Sequence, residues 1–386
     1  MSNCKICGEE NCKKHSFLLG KAKTITEFSG SSPPEIFVGK WNYPNVYTGI
    51  LSPQEYGNTE LLSSAELWHE KKLPIPTIID MRNKLIYART QSNIKNPNTG
   101  FLNTMQEVAM THKSISAEYK LKKPIREHDE KDSRVPLISH AAPLDQVRLQ
   151  ENPLIKPKID YLVNDTEVKS GIAIKELDKA GIPTSNIVKI LSSGLLGLKA
   201  NRKLVPTRWS ITAVDDTLSK EKLKRIKFFP EISQAEVFSA EYLGNNYNFL
   251  LLPDKFSFEV IEISIGKGGV WQDYESFLGR KGYADSVTGA YYANRLALCE
   301  YLDKIKRQCS CLVIREVRPE YYAPLGVGIL RQISREAFLS PGRKFNSIQE
   351  ALVDIQTRLK IPVSTWTDKS IILKNHGKQK KLFDFT

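Results

Sequence analysis

Four metal-binding side chains fall within twelve residues near the start of the chain. Cys4-Lys5-Ile6-Cys7 is followed, after four residues, by Cys12-Lys13-Lys14-His15, which makes two C-x₂-[CH] pairs. Each pair can close a chelating turn, thiolate and imidazole suit tetrahedral zinc, and Gly8 eases the backbone between the pairs. Protein ligands fill all four positions, so the expected site is a closed structural one on Cys4, Cys7, Cys12 and His15. The segment is too short to bury a core, and the metal would have to organise it. Reactive thiols in a terminal segment are the alternative, but three cysteines and a histidine do not read as a disulfide framework.

Acids beside apolar runs are the other catalytic candidates: Asp80 with Arg82, Asp215 with Asp216, and Asp273 with Glu275 and Asp285. Converging carboxylates can hold Mg²⁺ or Mn²⁺ for phosphodiester cleavage. On that reading Asp80, Arg82, Asp215 and Asp216 form a site at strand ends in the larger N-terminal domain, with Arg82 and Arg208 facing phosphate. The bland reading makes Asp215-Asp216 the cap of a helix beginning at Leu218 and puts Asp80 and Arg82 in an ion pair. A D…E-x-K nuclease signature is missing, since Glu262 is followed by Ile263-Ser264. Neither a Ser-His-Asp motif, a kinase set, H-E-x-x-H nor a G-x₄-G-K-[ST] loop is present. His69, His112, His128 and His140 lie in unrelated contexts.

The chain closes on Gln379-Lys380-Lys381-Leu382-Phe383-Asp384-Phe385-Thr386, after the basic lead-in Lys374-Asn375-His376-Gly377-Lys378. Gln, an aliphatic residue three positions on and an aromatic three beyond that form the pattern of a sliding-clamp-binding peptide. One 3₁₀ turn eclipses i and i+3, so Leu382 and Phe385 would form a two-pronged apolar plug beside Phe383, with Gln379 bonding at the rim. A terminal segment reaches a partner without disturbing a core. The competing account is a tail packed on its own domain. Thr386 stands where the fullest motif has a second aromatic, which predicts modest affinity.

Lys and Arg number 56 against 43 Asp and Glu, a formal charge of +13 with a pI near 9.2. That excess favours a polyanionic partner through counterion release. Lys199, Arg202, Lys203 and Arg208 are the basic residues expected to meet nucleic acid. Trp41, Tyr43 and Tyr47 beside Lys40 are candidates for stacking bases, with core packing as the alternative. The longest apolar runs, such as Phe249-Leu250-Leu251-Leu252, are far too short to cross a bilayer. No N-terminal signal is read, and Cys299, Cys309 and Cys311 look like buried thiols of a reducing cytosol, so a cytoplasmic, nucleoid-associated protein is expected.

The positioning elements read as α+β: two mixed domains, a short zinc-binding segment (1–18) and a flexible tail (374–386). The first domain is expected over 19–265 and a smaller, mainly helical one over 266–373, with the boundary at Gly266-Lys267-Gly268-Gly269. Strands are predicted over 35–39, 77–82, 85–89, 209–216 and 311–317, and a hairpin joins 247–252 to 256–265 across Pro253-Asp254. Helices are predicted over 63–72, 103–120, 286–307 and 325–338. Two short helices flank Ala180-Gly181-Ile182-Pro183, loosely like a helix-turn-helix. Ser347-Ile348-Gln349-Glu350 is a capping box that opens a further helix. A short strand is expected over 370–373.

With the cysteine cluster, Ile78-Ile79-Asp80-Met81-Arg82, Leu204-Val205-Pro206-Thr207-Arg208-Trp209-Ser210 and the tail assembled, the chain resembles the archaeal Nre family of DNA-repair proteins over nearly its whole length. The resemblance implies a role in the response to DNA damage alongside the replication clamp (PCNA), and hands over no catalytic residue. Two function classes stay open. One is a zinc-bearing factor that binds DNA and docks on the clamp; the other is a metal-dependent repair nuclease.

Overall fold

The structure, a computed structural model, describes residues 24–97, 100–127, 134–266 and 268–377. The zinc ligands expected at Cys4, Cys7, Cys12 and His15, the clamp peptide with Gln379, Leu382, Phe383 and Phe385, and His128 lie outside the described residues. The architecture is α+β, with two mixed sheets. Two compact units form: Met1–Leu218 with Ala323–Ile329, and Ser219–Tyr322 with Leu330–Thr386.

The first unit contains, in chain order, β1 (Glu27–Ser32), β2 (Ile36–Val38), β3 (Asn45–Ser52), α1 (Ala65–Glu70), α2 (Ile75–Asn83), β4 (Ile86–Asn93), α3 (Gly100–Met110) and β5 (Ile115–Leu121). Then follow β6 (Arg126–Glu127), β7 (His140–Leu149), α4 (Pro157–Asn164), α5 (Ser170–Lys179), α6 (Thr184–Ser192) and α7 (Thr207–Ile226), within which the division falls. Its sheet runs β1-β5-β7-β4-β3-β2, with β6 on β7 and only the β4–β7 pair parallel. Val46 and Ile50 of β3 alternate onto the core face with Ile86 and Ala88 of β4, as period-2 burial requires. Leu102, Met105, Val108 and Ala109 of α3 cover them at helical spacing.

The second unit adds β8 (Ala235–Tyr242), β9 (Asn245–Leu252), β10 (Ser257–Ser264), β11 (Val270–Glu275), α8 (Gly289–Ile305), β12 (Ser310–Val317), α9 (Val327–Ala337), β13 (Arg343–Phe345), α10 (Ile348–Gln356), α11 (Ser364–Thr367) and α12 (Ile371–Asn375). The sheet order is β11-β10-β12-β9-β8-β13. On one face Ala351, Ile355, Trp366 and Ile372 pack on Leu250, Leu252, Ile261 and Ile314. On the other, rings of Phe258 and Tyr291, and of Phe249 and Phe338, meet at 5.1 and 4.8 Å.

Two fully buried carboxylates in this unit are consumed by backbone. Glu259 on β10 accepts the Ser370 hydroxyl at 2.6 Å and the Ile371 and Ile372 N–H groups at 2.9 and 3.0 Å, which satisfies the start of α12. Glu316 on β12 accepts the Lys360 and Ile361 N–H groups at 2.8 and 3.0 Å and pairs with Arg318.

Several predicted elements differ. Residues 77–82 are helical, not a strand: Ile75, Ile78, Ile79 and Arg82 are the buried positions, a 3–4 spacing that β-branched Thr-Ile-Ile disguises. Residues 209–216 likewise lie inside α7, where Ile211, Val214, Asp215 and Leu218 are buried. The helix expected over 103–120 stops at Met110, and β5 takes the rest. Residues 371–375 are helix, where a strand was expected. No hairpin joins β9 to β10, because β12 lies between them, antiparallel to β9 and parallel to β10. The Gly266-to-Gly269 stretch joins β10 and β11, adjacent antiparallel strands. Helices α5 and α6 flank Gly181 as read, and Ser347 accepts from the Glu350 N–H at 3.2 Å.

Candidate nucleic-acid interface

Three chain segments of the first unit meet along one hydrogen-bonded strip. The turn between β2 and β3 closes through Gly39 N–H to Tyr47 O at 2.8 Å and Asn45 N–H to Asn42 O at 2.8 Å. Ile94, just past β4, donates to Pro44 O at 3.0 Å, and Leu204 donates to Ile94 O at 3.0 Å. Residues 39–47, 89–95 and 203–209 are thereby laced together, and none of the three segments contains an aspartate or glutamate. They carry Lys40, Arg89, Lys95, Lys203 and Arg208, five cations on segments that contribute no carboxylate.

The start of α7 is locked onto this strip. Val38 N–H donates to the Thr207 hydroxyl at 3.0 Å, which also lies 3.2 Å from the Ser192 hydroxyl; Ser192 in turn donates to Val205 O at 2.7 Å. Pro206 accepts from the Trp209 and Ser210 N–H groups at 2.8 and 3.0 Å. Proline has no N–H to leave unpaired at a helix start, so Pro206-Thr207 suits this place. The consequence is that Trp209, in the first turn of the helix, meets the Tyr43 ring at 5.5 Å between centroids and a 51° tilt.

Strand pairing places the remaining ring. Tyr47 faces Gln91 and Gly49 faces Arg89 across β3 and β4, so Arg89 is the diagonal neighbour of Tyr47. Its guanidinium lies 4.2 Å from the Tyr47 ring centroid, and Lys40 Nζ lies 4.4 Å from that of Trp41. A Cβ on Gly49 would run into the backbone of Ala88 and the Tyr87 ring, so only glycine lets β3 lie this close beneath Arg89. Gln91 donates to Asn45 O at 3.1 Å and Asn93 to Asn45 Oδ1 at 2.8 Å. The rings themselves stay open to solvent: Trp41 is 66% exposed, Tyr43 48%, Trp209 45% and Tyr47 38%.

Of the basic residues expected to meet nucleic acid, Lys203 and Arg208 belong to this strip. Lys199 is exposed on the preceding short 3₁₀ turn, Lys199–Asn201. Arg202 is spent differently, its Nε donating to Gly197 O at 2.9 Å and its Nη2 to Asp165 O at 3.0 Å, with burial drawing its pKa down. Sequence reasoning found Lys40, Trp41, Tyr43 and Tyr47 and missed Arg89, Lys95 and Trp209. The absence of acids from all three segments was the available signal.

Asp80, Asp215 and Asp216, expected at strand ends, stand on helices, whereas Asp273 and Glu275 lie on β11. Asp80 is exposed on α2 while Arg82 is buried, its Nε donating to Leu137 O at 3.0 Å. Asp215 is buried in the middle of α7 and Asp216 half-buried beside it, so neither caps a helix at Leu218. Asp273 accepts the Val287 N–H at 2.6 Å and pairs with Arg280, Glu275 pairs with buried Arg295 at 2.9 Å, and Asp285 is exposed. Among the described residues no group of three or more His, Cys, Asp or Glu side chains is arranged to hold a metal ion. No helix among them is long and apolar enough to cross a membrane.

Comparison with known proteins finds two family matches along the chain. Families described as Archaeal Nre, N-terminal, and Archaeal Nre, C-terminal, match residues 2–272 and 275–385. DNA repair protein NreB of Archaeoglobus fulgidus is 31% identical over 388 residues, covering 98% of this chain and 97% of that protein. DNA repair protein NreA of Haloferax volcanii is 33% identical over 375 residues, 92% of this chain and 88% of its own. NreA of A. fulgidus is 32% identical over 374 residues and 93% of both chains. No solved structure is a significant match. With both matches and these full-length relatives in hand, the chain belongs to the archaeal Nre family.

Proposed function

We propose that this protein is a DNA-repair factor that contacts DNA through the aromatic and basic strip of its first unit and docks on the replication sliding clamp through its C-terminal peptide. The repair role is supported by relatives of near-equal length that carry that name. The observation that carries the DNA contact is the strip, where four exposed rings and five cations share segments free of carboxylates. Docking is supported by the Gln379, Leu382, Phe383, Phe385 pattern, and a structural zinc on Cys4, Cys7, Cys12 and His15 by the ligand spacing. The nuclease alternative receives no such support, since one helix exposes Asp80 and another buries Asp215.

Anisotropy with labelled DNA across a salt series tests the contact. Affinity should fall by roughly 10³ between low and moderate salt for about six phosphates, and a flat response removes nucleic acid as the meaning of the strip. For the clamp, Leu382→Ala with Phe385→Ala should abolish binding in calorimetry, each truncation losing about 1.5–3 kcal/mol of burial. Wild-type affinity in the double variant would sink the docking. Elemental analysis should find one zinc per chain in unchelated protein and none in Cys4→Ser/Cys7→Ser.

A further inference from the structure

The strip specifies the kind of DNA it takes. We infer that it is a stacking platform for unpaired bases, so that single-stranded DNA, or the single-stranded portion of a damaged or branched site, is the bound form. This rests on the DNA-binding reading above and narrows it.

Three observations carry the inference. First, Trp41, Tyr43 and Trp209 are large aromatic side chains left well exposed, and in a duplex the base faces are already stacked on one another; only an unpaired base offers a free face to such rings. A surface built to track duplex phosphates needs cations and has no use for large exposed indoles. Second, the rings are already oriented. Tyr43 and Trp209 are fixed at 5.5 Å by the Thr207 clasp and the Pro44–Ile94 bond, whereas sandwiching a base between them would need about 7 Å, twice the roughly 3.4 Å rise of a stacked strand. Bases therefore stack on the outer faces of the pair, and the rings lose little freedom on binding. Third, the neighbouring amides are turned on one another: Gln91 and Asn93 both donate to Asn45, which leaves base edges unread. Stacking beside Lys40, Arg89, Lys95 and Lys203 tolerates any sequence while tracking the backbone charge.

The test uses the full chain, an oligothymidine strand and a duplex of equal length, at low and moderate salt. Wild type should bind the strand at least about tenfold tighter than the duplex, with quenching of tryptophan fluorescence. Trp41→Ala and Trp209→Ala should each weaken strand binding by about 5- to 150-fold and leave duplex binding within about twofold. Trp41→Phe should restore most of the strand affinity, and circular dichroism with thermal melting should show each variant folded. Equal affinity for strand and duplex, or unchanged strand binding in the two alanine variants, overturns the stacking platform while DNA binding stands. Absence of binding to either DNA by wild type overturns the DNA-binding reading itself.

Discussion

Arginines serve opposite ends in the two units. In the second, at least five are neutralised within the fold: Arg295 by Glu275, Arg315 by Glu262, Arg318 by Glu316 and Glu241, Arg335 by Glu300, and Arg358 by Asp354. In the strip of the first unit, Arg89 lies over the Tyr47 ring and Lys40 over Trp41, on segments without a carboxylate. A cation held by a ring keeps its full charge, and the ring's outer face remains available. A cation held by a carboxylate is spent on the architecture. The contrast separates the proposed binding surface from the scaffold where net charge alone cannot.

The sharpest way to break the contrast is to unpair a scaffold charge. Glu275→Ala leaves the Arg295 guanidinium buried, and it should cost about 3–5 kcal/mol of stability in denaturant melts. Trp41→Ala, at an exposed ring, should leave the same melts nearly unchanged. If both variants melt alike, the division into scaffold and surface fails.

A second test removes charge from the strip. Lys203→Glu should weaken DNA binding without regard to base sequence and reduce the log–log salt slope by about 1 or slightly more. Lys179→Glu, on a lysine already paired with Glu176, should do neither.

The smallest expected effect separates a surface pair from the buried one. Its hydrogen bond from Arg225 holds the Asp303 carboxyl below the usual carboxylate range. Because the folded-state value is depressed, the pair's contribution is present above the unfolded carboxylate value of about 3.9 and is lost as pH falls through the folded value. Asp303→Asn should therefore lower stability by less than about 1 kcal/mol at neutral pH. The difference from wild type should vanish in acid, and a difference that grows on acidification would contradict the assignment.

Much of the scaffold was legible because its elements were long and their ends marked. Helix α8 and strand β12 fell close to their predicted places, and the Ser347 cap opens α10 as its sequence says. Residues 77–82 and 209–216 were misread for one reason. Both open with β-branched or aromatic residues that mimic strand composition, while burial at every third or fourth position, including polar Arg82 and Asp215, fixes them as helices. That error carried the acids with it: strand ends would have fixed Asp80 and Asp215 at an edge, whereas helices give one to solvent and the other to the core. The strip was half legible, since Lys40 to Tyr47 is contiguous in sequence. Arg89 and Trp209 join it only through the register of β3 on β4 and the Thr207 clasp, which no local pattern announces.

The carboxylate of Glu259 has a consequence for the proposed clamp peptide. By holding the first turn of α12 it anchors a helix that ends at Asn375, four positions before Gln379. At about 3.3–3.6 Å per residue, the leash between that anchor and a clamp-bound Gln379 spans less than the width of a DNA duplex. With the proposed docking, so short a leash would confine the second unit to the immediate rim of the ring, raise its local concentration there, and permit few orientations. Lengthening it with glycine and serine would keep the grip on the clamp and loosen the geometry with which the protein is delivered.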